Sequence, residues 1–157
     1  MNYDACFFCL GVSSIGMKEP EFHRLTYILT MHVAQLFSKL NTGMTFCYIS
    51  GRGTDSTEKG KLMWARVKGK TENDLMKLPF KKVYNFRPGI LKPTKGQKNT
   101  LPLYKALGWL LLPIFKFISP TSVCSLKDLG IAMINATILG YEKRVLEVKD
   151  IQALSKR

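Results

Sequence analysis

Residues 46–72 read FCYISGRGTDSTEKGKLMWARVKGKTE. The stretch opens on aromatic and β-branched residues (Phe46, Tyr48, Ile49), ends that run at Ser50, crosses a glycine-rich polar turn and resumes near Glu58 with helical periodicity. This order predicts a strand, a loop and a helix. Open α/β sheets bind ligands beyond the carboxyl ends of their strands, which is where such a strand leaves Ser50. Trp64 and Lys68 are spaced to share one face of the helix. A hydroxyl and an ammonium are therefore expected at one crevice. The plainer alternative makes Ser50 a strand end and Lys68 a surface lysine with Glu72 as its i,i+4 partner.

Upstream, residues 3–10, YDACFFCL, form a continuous apolar run after Asp4 that suits a strand buried on both faces of a parallel sheet. A polar turn follows from Gly11. Over residues 19–40, Leu25, Leu29, Val33, Leu36, Phe37 and Leu40 recur at helical spacing, predicting an amphipathic crossover helix stopped by Asn41, Thr42 and Gly43. Strand 44–50 comes next. The helix from about Glu58 runs to Leu78, ahead of Pro79, and KKVYNF at 81–86 makes a third strand closed by Arg87, Pro88 and Gly89. Alternation of strand and helix implies βαβ units in one α/β domain with a parallel sheet. Residues 92–100 read as a polar loop, and 101–118 as an apolar stretch interrupted by Pro102 and Pro113. A helix is expected over 126–139, with Asp128 in its first turn and Gly140 as its stop, then a short strand at 144–148.

A chain of 157 residues, 46% apolar, is long enough for one domain with a sizeable core. Its formal net charge of +13 favours anionic partners. The chain has four cysteines and no secretory signal pattern, which points to a reducing, cytoplasmic setting. Cys6 and Cys9 lie in an apolar run whose strand geometry turns them to opposite faces, so they read as buried structural cysteines. Cys6-x-x-Cys9 invites a metal or redox reading, which that strand geometry opposes; His23 and His32 have no ligand-spaced partners and no HExxH, nucleophile elbow or Walker A pattern occurs, so neither a metal nor a nucleophilic triad is expected. The stretch 106–115, ALGWLLLPIF, falls short of the roughly 20 apolar residues a membrane span needs. It reads as a packed or substrate-covering helix, with weak membrane-surface contact as the other reading. Lys77, Lys81, Lys82, Arg87, Lys92, Lys95 and Lys98 alternate with Phe80, Tyr84 and Phe86. They could contact nucleic acid through phosphate and stacking, but no binding motif accompanies the charge and a solvated basic face accounts for them; the alternative function is a non-catalytic basic scaffold or binding module for anionic partners, nucleic acid or a membrane surface.

The strand-end Ser50, the helix carrying Lys68 and the continuation Lys68-Gly69-Lys70-Thr71-Glu72 resemble the atypical and extended short-chain dehydrogenase/reductases, the NAD(P)-dependent epimerase/dehydratase-like family. There a strand-end Ser precedes a helix bearing Tyr-x-x-x-Lys; Ser50 and Lys68 match, and Trp64 stands at the tyrosine position. The resemblance covers roughly residues 3–140 and implies a partial Rossmann-like, doubly wound parallel sheet with oxidoreductase or epimerase chemistry on NAD or NADP. It implies that Lys68 holds the nicotinamide ribose and that Ser50 hydrogen-bonds a substrate hydroxyl or carbonyl. Leu10 and Gly11, with Ser13 and Ser14 in the loop beyond, resemble the segment lining the adenosine side. Thr26 falls where many relatives carry Asn, and Arg87-Pro88-Gly89 resembles the turn beside nicotinamide and substrate.

Two departures follow. An indole N–H does not give and take a proton near neutral pH, so Trp64 lacks the phenol's chemistry. Tyr48 and Tyr84 are the substitutes within reach, although each also reads as a core residue. The Gly-x-x-Gly-x-x-Gly phosphate cradle is absent from this chain, and with it the principal cofactor anchor. Met1 stands just before what resembles the fourth strand, so the chain resembles the carboxyl-terminal part of a longer parent, lacking the first βαβαβ half. The expectation is a fragment that is inactive alone. Its uncovered apolar edge at residues 5–10 would favour self-association or pairing with the missing half.

Overall fold

A computed structural model describes residues 3–92 and 123–157. The strands are β1 (Ala5–Phe8), β2 (Thr45–Ile49), β3 (Lys82–Arg87), β4 (Ile90–Lys92), β5 (Val123–Ser125) and β6 (Val145–Glu147). The helices are α1 (Glu19–His23), α2 (Leu29–Leu40), α3 (Met63–Leu75), α4 (Leu126–Ile138) and α5 (Val148–Leu154), with a π-helical turn, Arg24–Ile28, joining the first two. Four strands form a parallel sheet in the order β1-β2-β3-β6, and β4 and β5 make a separate parallel pair. Phe46 of β2 sits in register between Cys6 of β1 and Val83 of β3. The chain is thus an α/β protein with a parallel sheet, as expected of a partial Rossmann-like fold. Of the loop expected at 92–100, Lys92 instead ends β4; the rest of it and the apolar stretch 101–118, including 106–115, lie outside the described residues.

The pleat of β2 divides the core. Phe46 and Tyr48 point to one face, where Phe8, Val83, Met31 and Ala34 of α2 and Leu75 of α3 close around them. Cys47 points to the other, with Tyr84, Phe86 and Leu146, under Leu129 and Met133 of α4 and Ile151 and Leu154 of α5. Each such side chain taken fully from water contributes about 1.5–3 kcal/mol. Helices on both faces explain why β2 is apolar nearly throughout and why residues 83–86 of β3 are buried. The two late helices are capped in the sequence itself. Ser125 and Asp128 form a reciprocal capping box at the start of α4, and Glu147 and Asp150 form another at α5.

Several elements differ from the sequence-based expectation. The helix expected from Glu58 begins at Met63, because the Asp55 carboxylate accepts from Thr57 N–H (3.0 Å), Thr57 Oγ1 (2.7 Å) and Gly60 N–H (2.6 Å) and winds residues 55–60 into a turn. Glu58 has φ +62°, outside any helix. The same helix ends at Leu75 rather than Leu78. The first strand is shorter than residues 3–10 and is not buried on both faces: Phe7 is 43% exposed, because β1 stands at the edge of the described sheet, and Leu10, beyond the strand, is 61% exposed. Cys6 is half-buried and Cys9 exposed, so the reading of both as buried is corrected; Cys47 and Cys124 are buried. Burial pushes the Cys47 thiol up to about 12 and raises those of Cys6 and Cys9. The crossover over 19–40 is helical throughout but passes through the π turn at Thr26, whose buried hydroxyl has no partner among the described residues.

An ion cluster fastens that crossover to α3. Asp74 accepts from Tyr27 Oη (2.8 Å), Lys70 Nζ (2.9 Å) and Lys77 Nζ (2.7 Å), and the His23 and Tyr27 rings stack at 4.7 Å. Burial alone would raise the Asp74 carboxyl, but its three donors win and hold it at about 2. A depressed carboxylate contributes stability that is complete above the ordinary carboxylate range and is lost as pH falls through the folded value. Asp74→Asn is therefore expected to cost about 2 kcal/mol at neutral pH, the scale of hydrogen bonds to a charged group. Urea denaturation from pH 7 downward should show the two proteins converging as pH falls from about 4 to 2. A gap that persists in acid would assign the loss to packing.

Candidate active site

Ser50 follows the last residue of β2 and is 4% exposed. Its N–H donates to the Phe86 carbonyl (2.9 Å), and its hydroxyl faces Glu72 Oε1 and the same carbonyl, 3.1 Å away. Lys68 reaches across from α3, and its ammonium donates to the Ser50 carbonyl. Burial lowers the Lys68 pKa, and the nearby Glu72 charge pulls it back up. Glu72, fully buried, accepts from Arg87 at both oxygens, Nε to Oε1 at 3.0 Å and Nη2 to Oε2 at 2.5 Å. Arg87 also meets Glu147 (3.3 Å) and donates to Ser56 Oγ (2.6 Å). Ser50, Lys68 and Arg87 are therefore gathered at the carboxyl ends of parallel strands around one buried carboxylate.

The loop between β2 and α3 roofs this cluster. Arg52 N–H donates to the Pro88 carbonyl (2.8 Å), tying the turn after β2 to the Arg87-Pro88-Gly89 turn after β3. Gly53 has φ +86°, and a Cβ there would lie 3.4 Å from the Trp64 ring, so the half-buried indole rests on this turn. Asp55 N–H donates to the Ala65 carbonyl (3.1 Å), and the Asp55 carbonyl comes so close to Gly69 that a Cβ would sit 1.8 Å from its oxygen. Arg66 donates to the Gly60 carbonyl (2.6 Å) and pairs with Glu19 (2.6 Å), while Asn73 donates to the Ser56 carbonyl (3.0 Å). The loop lies along α3 because Gly69 lets it.

Leu10, Gly11 and Ser13 are exposed beyond the carboxyl end of β1, and Ser13 Oγ accepts from Ile15 N–H (3.3 Å) in a local turn. Tyr48 and Tyr84 are each 1% exposed. Burial raises the Tyr48 phenol, against a weaker effect of Thr71, and the Tyr84 hydroxyl donates to the Tyr141 carbonyl (3.2 Å) while accepting from its N–H (2.9 Å). Beside Tyr48 in the sheet, the fully buried Asn85 amide has no partner at either atom among the described residues. Among the described residues no group of three or more His, Cys, Asp or Glu is placed to hold a metal ion, and no helix is long and apolar enough to cross a membrane.

Sequence reasoning missed Glu72 as the hub, having given it to Lys68, and missed Gly69, Asp55, Ser56 and Glu147. Two signals were present: a glycine inside a helix, where alanine is worth about 1 kcal/mol more, and Asp-x-Thr in the polar turn. No protein-family model matches the chain. It is similar to the botcinic acid biosynthesis cluster B protein 16 of Botryotinia fuckeliana (strain B05.10), 37% identical over 83 residues, covering 47% of this chain and 52% of that protein. The chain thus spans about half the length of the curated relative it matches.

Proposed function

We propose that the chain is an NAD(P)-dependent epimerase/dehydratase-like domain that does no chemistry alone. One observation carries the proposal: Lys68 meets the strand-end Ser50 at the carboxyl edge of a parallel sheet, where α/β proteins place their ligands. Similarity to a protein of a biosynthesis cluster supports small-molecule tailoring as the setting. The residues present do not complete a nicotinamide site. The Ser50 hydroxyl is buried against Glu72 and the Phe86 carbonyl, the Arg87 guanidinium is taken up by Glu72, Glu147 and Ser56, and the Trp64 indole N–H does not act as a general acid or base near neutrality. Of Ser50, Trp64, Lys68 and Arg87, Lys68 is the cation whose ammonium meets a carbonyl rather than a carboxylate among the described residues. The β1 edge, unpaired among the described residues, is where a further, cofactor-anchoring segment would sit.

Calorimetry with NADH and NADPH tests this. The unmodified chain is expected to show no binding at micromolar concentration and no change in cofactor absorbance with carbonyl substrates. Adding the amino-terminal half of a reductase of the resembled family is expected to restore cofactor affinity, and Trp64→Tyr in that complex to be needed for turnover. Micromolar binding by the chain alone would overturn its inactivity. Failure of the complex to bind any dinucleotide would overturn the reductase-like assignment.

A further inference from the structure

At the amino edge of the sheet, opposite the Ser50 crevice, the end of α2 and the starts of β1 and β2 enclose an apolar cavity of about 260 Å³ whose lining includes Tyr3, Phe37, Leu40 and Met44. Asn41 braces it, donating through Nδ2 to the Tyr3 carbonyl (2.8 Å) and accepting at its carbonyl from Met44 N–H (3.3 Å). Tyr3 is 65% and Leu40 56% exposed, so large apolar side chains stand in water beside an apolar hollow. Such an arrangement marks an interaction surface more often than a bare monomer face.

The same edge is basic. Lys39 precedes Leu40 in the last turn of α2, Lys81 N–H donates to the Met44 carbonyl (3.1 Å), and Lys82 opens β3 in register with Thr45. All three lysines are exposed, and none forms a salt bridge among the described residues. The nearby Lys77 pairs with Asp74 (2.7 Å), a carboxylate it shares with Lys70. Asp4, whose carbonyl accepts from Thr45 N–H (2.9 Å), is an exposed acid at this edge. We propose that this edge docks on an anionic phospholipid bilayer, with Tyr3 and Leu40 entering the headgroup boundary and Lys39, Lys81 and Lys82 meeting the phosphates. A nucleic acid backbone would satisfy the lysines but leave the apolar hollow unmatched, whereas a lipid surface offers both charge and hydrocarbon. The net charge of +13 adds long-range attraction to such a surface.

Co-sedimentation of the full chain with vesicles tests the proposal. Partition is expected into equimolar phosphatidylglycerol and phosphatidylcholine but not into phosphatidylcholine alone. At about fivefold per lysine, Lys39→Gln/Lys81→Gln/Lys82→Gln is expected to lower it about 100-fold. Tyr3→Ser/Leu40→Ser is expected to lower it about tenfold through lost apolar insertion. Lys127→Gln/Lys149→Gln/Lys156→Gln, an equal change of charge on the α4 and α5 side, is expected to lower it only about twofold, through the smaller net charge. Equal losses in the two lysine triples would overturn the assignment to this edge. So would undiminished binding to phosphatidylcholine alone. Tighter binding of a single-stranded oligonucleotide that the edge triple abolishes would reassign the surface to nucleic acid. A concentration-dependent dimer lost in Tyr3→Ser/Leu40→Ser, without vesicle binding, would reassign it to a second copy of the chain.

Discussion

Arg87→Met is expected to lower the unfolding free energy by about 3–5 kcal/mol, the cost of leaving one member of a buried ion pair uncompensated. Glu72 is fully buried and takes two hydrogen bonds from the Arg87 guanidinium, whose own side chain is 12% exposed. Without Arg87, the carboxylate keeps the Ser50 hydroxyl and the more distant field of Lys68, too little to replace hydration. Removing both charges in Glu72→Leu/Arg87→Met is expected to recover most of that loss, since well-packed apolar replacements of buried pairs are commonly neutral or stabilising. Ser50 would then turn its proton to the Phe86 carbonyl 3.1 Å away. Chemical denaturation of the two singles and the double forms a cycle whose coupling reports the pair. Additive losses would show that the guanidinium does not neutralise Glu72 in solution.

Gly69→Ala is expected to destabilise the protein by about 3 kcal/mol, the upper part of the usual range for overpacking. At an ordinary helix-interior position the same change would stabilise by about 1 kcal/mol, so even the sign is diagnostic. The reversal comes from the Asp55 carbonyl oxygen, 1.8 Å from where the new Cβ would sit, a backbone atom that cannot rotate away. Relief requires the loop to lift off α3, which would break the Asp55 N–H bond to Ala65 and separate Asn73 from Ser56. Limited proteolysis is expected to cut within residues 51–62 sooner in the variant. A variant more stable than the parent would show that the loop does not lie on the helix.

Local pattern accounts for much of the fold and a defined part of the site. The apolar run ending at Ser50 and the helical spacing around Lys68 put a strand end beside a helix face; the Lys68 ammonium meets the Ser50 backbone carbonyl there, while the Ser50 hydroxyl turns to Glu72 and Phe86. The start of that helix was not legible, because its period was extended backward over residues whose backbone is captured by the Asp55 carboxylate. Glu72 shows the other limit. An i,i+4 spacing offered Lys68 as its partner, but Arg87 on β3 approaches with a two-pronged guanidinium and takes the carboxylate.

The sequence by itself determined the alternation of strands and helices, the parallel sheet and the closeness of Ser50 to Lys68. Each follows from side-chain period, turn residues and short chain separation, which act before any distant segment arrives. Tertiary structure alone decided which charge neutralises Glu72, why a glycine follows Lys68, and which side chains of an apolar run reach water. Those outcomes depend on what packs against a residue from elsewhere in the chain. Arg87 lies on another strand, the Asp55 carbonyl crosses over from a loop, and β1 leaves Phe7 exposed because it stands at the edge of the described sheet, a position its own composition does not encode.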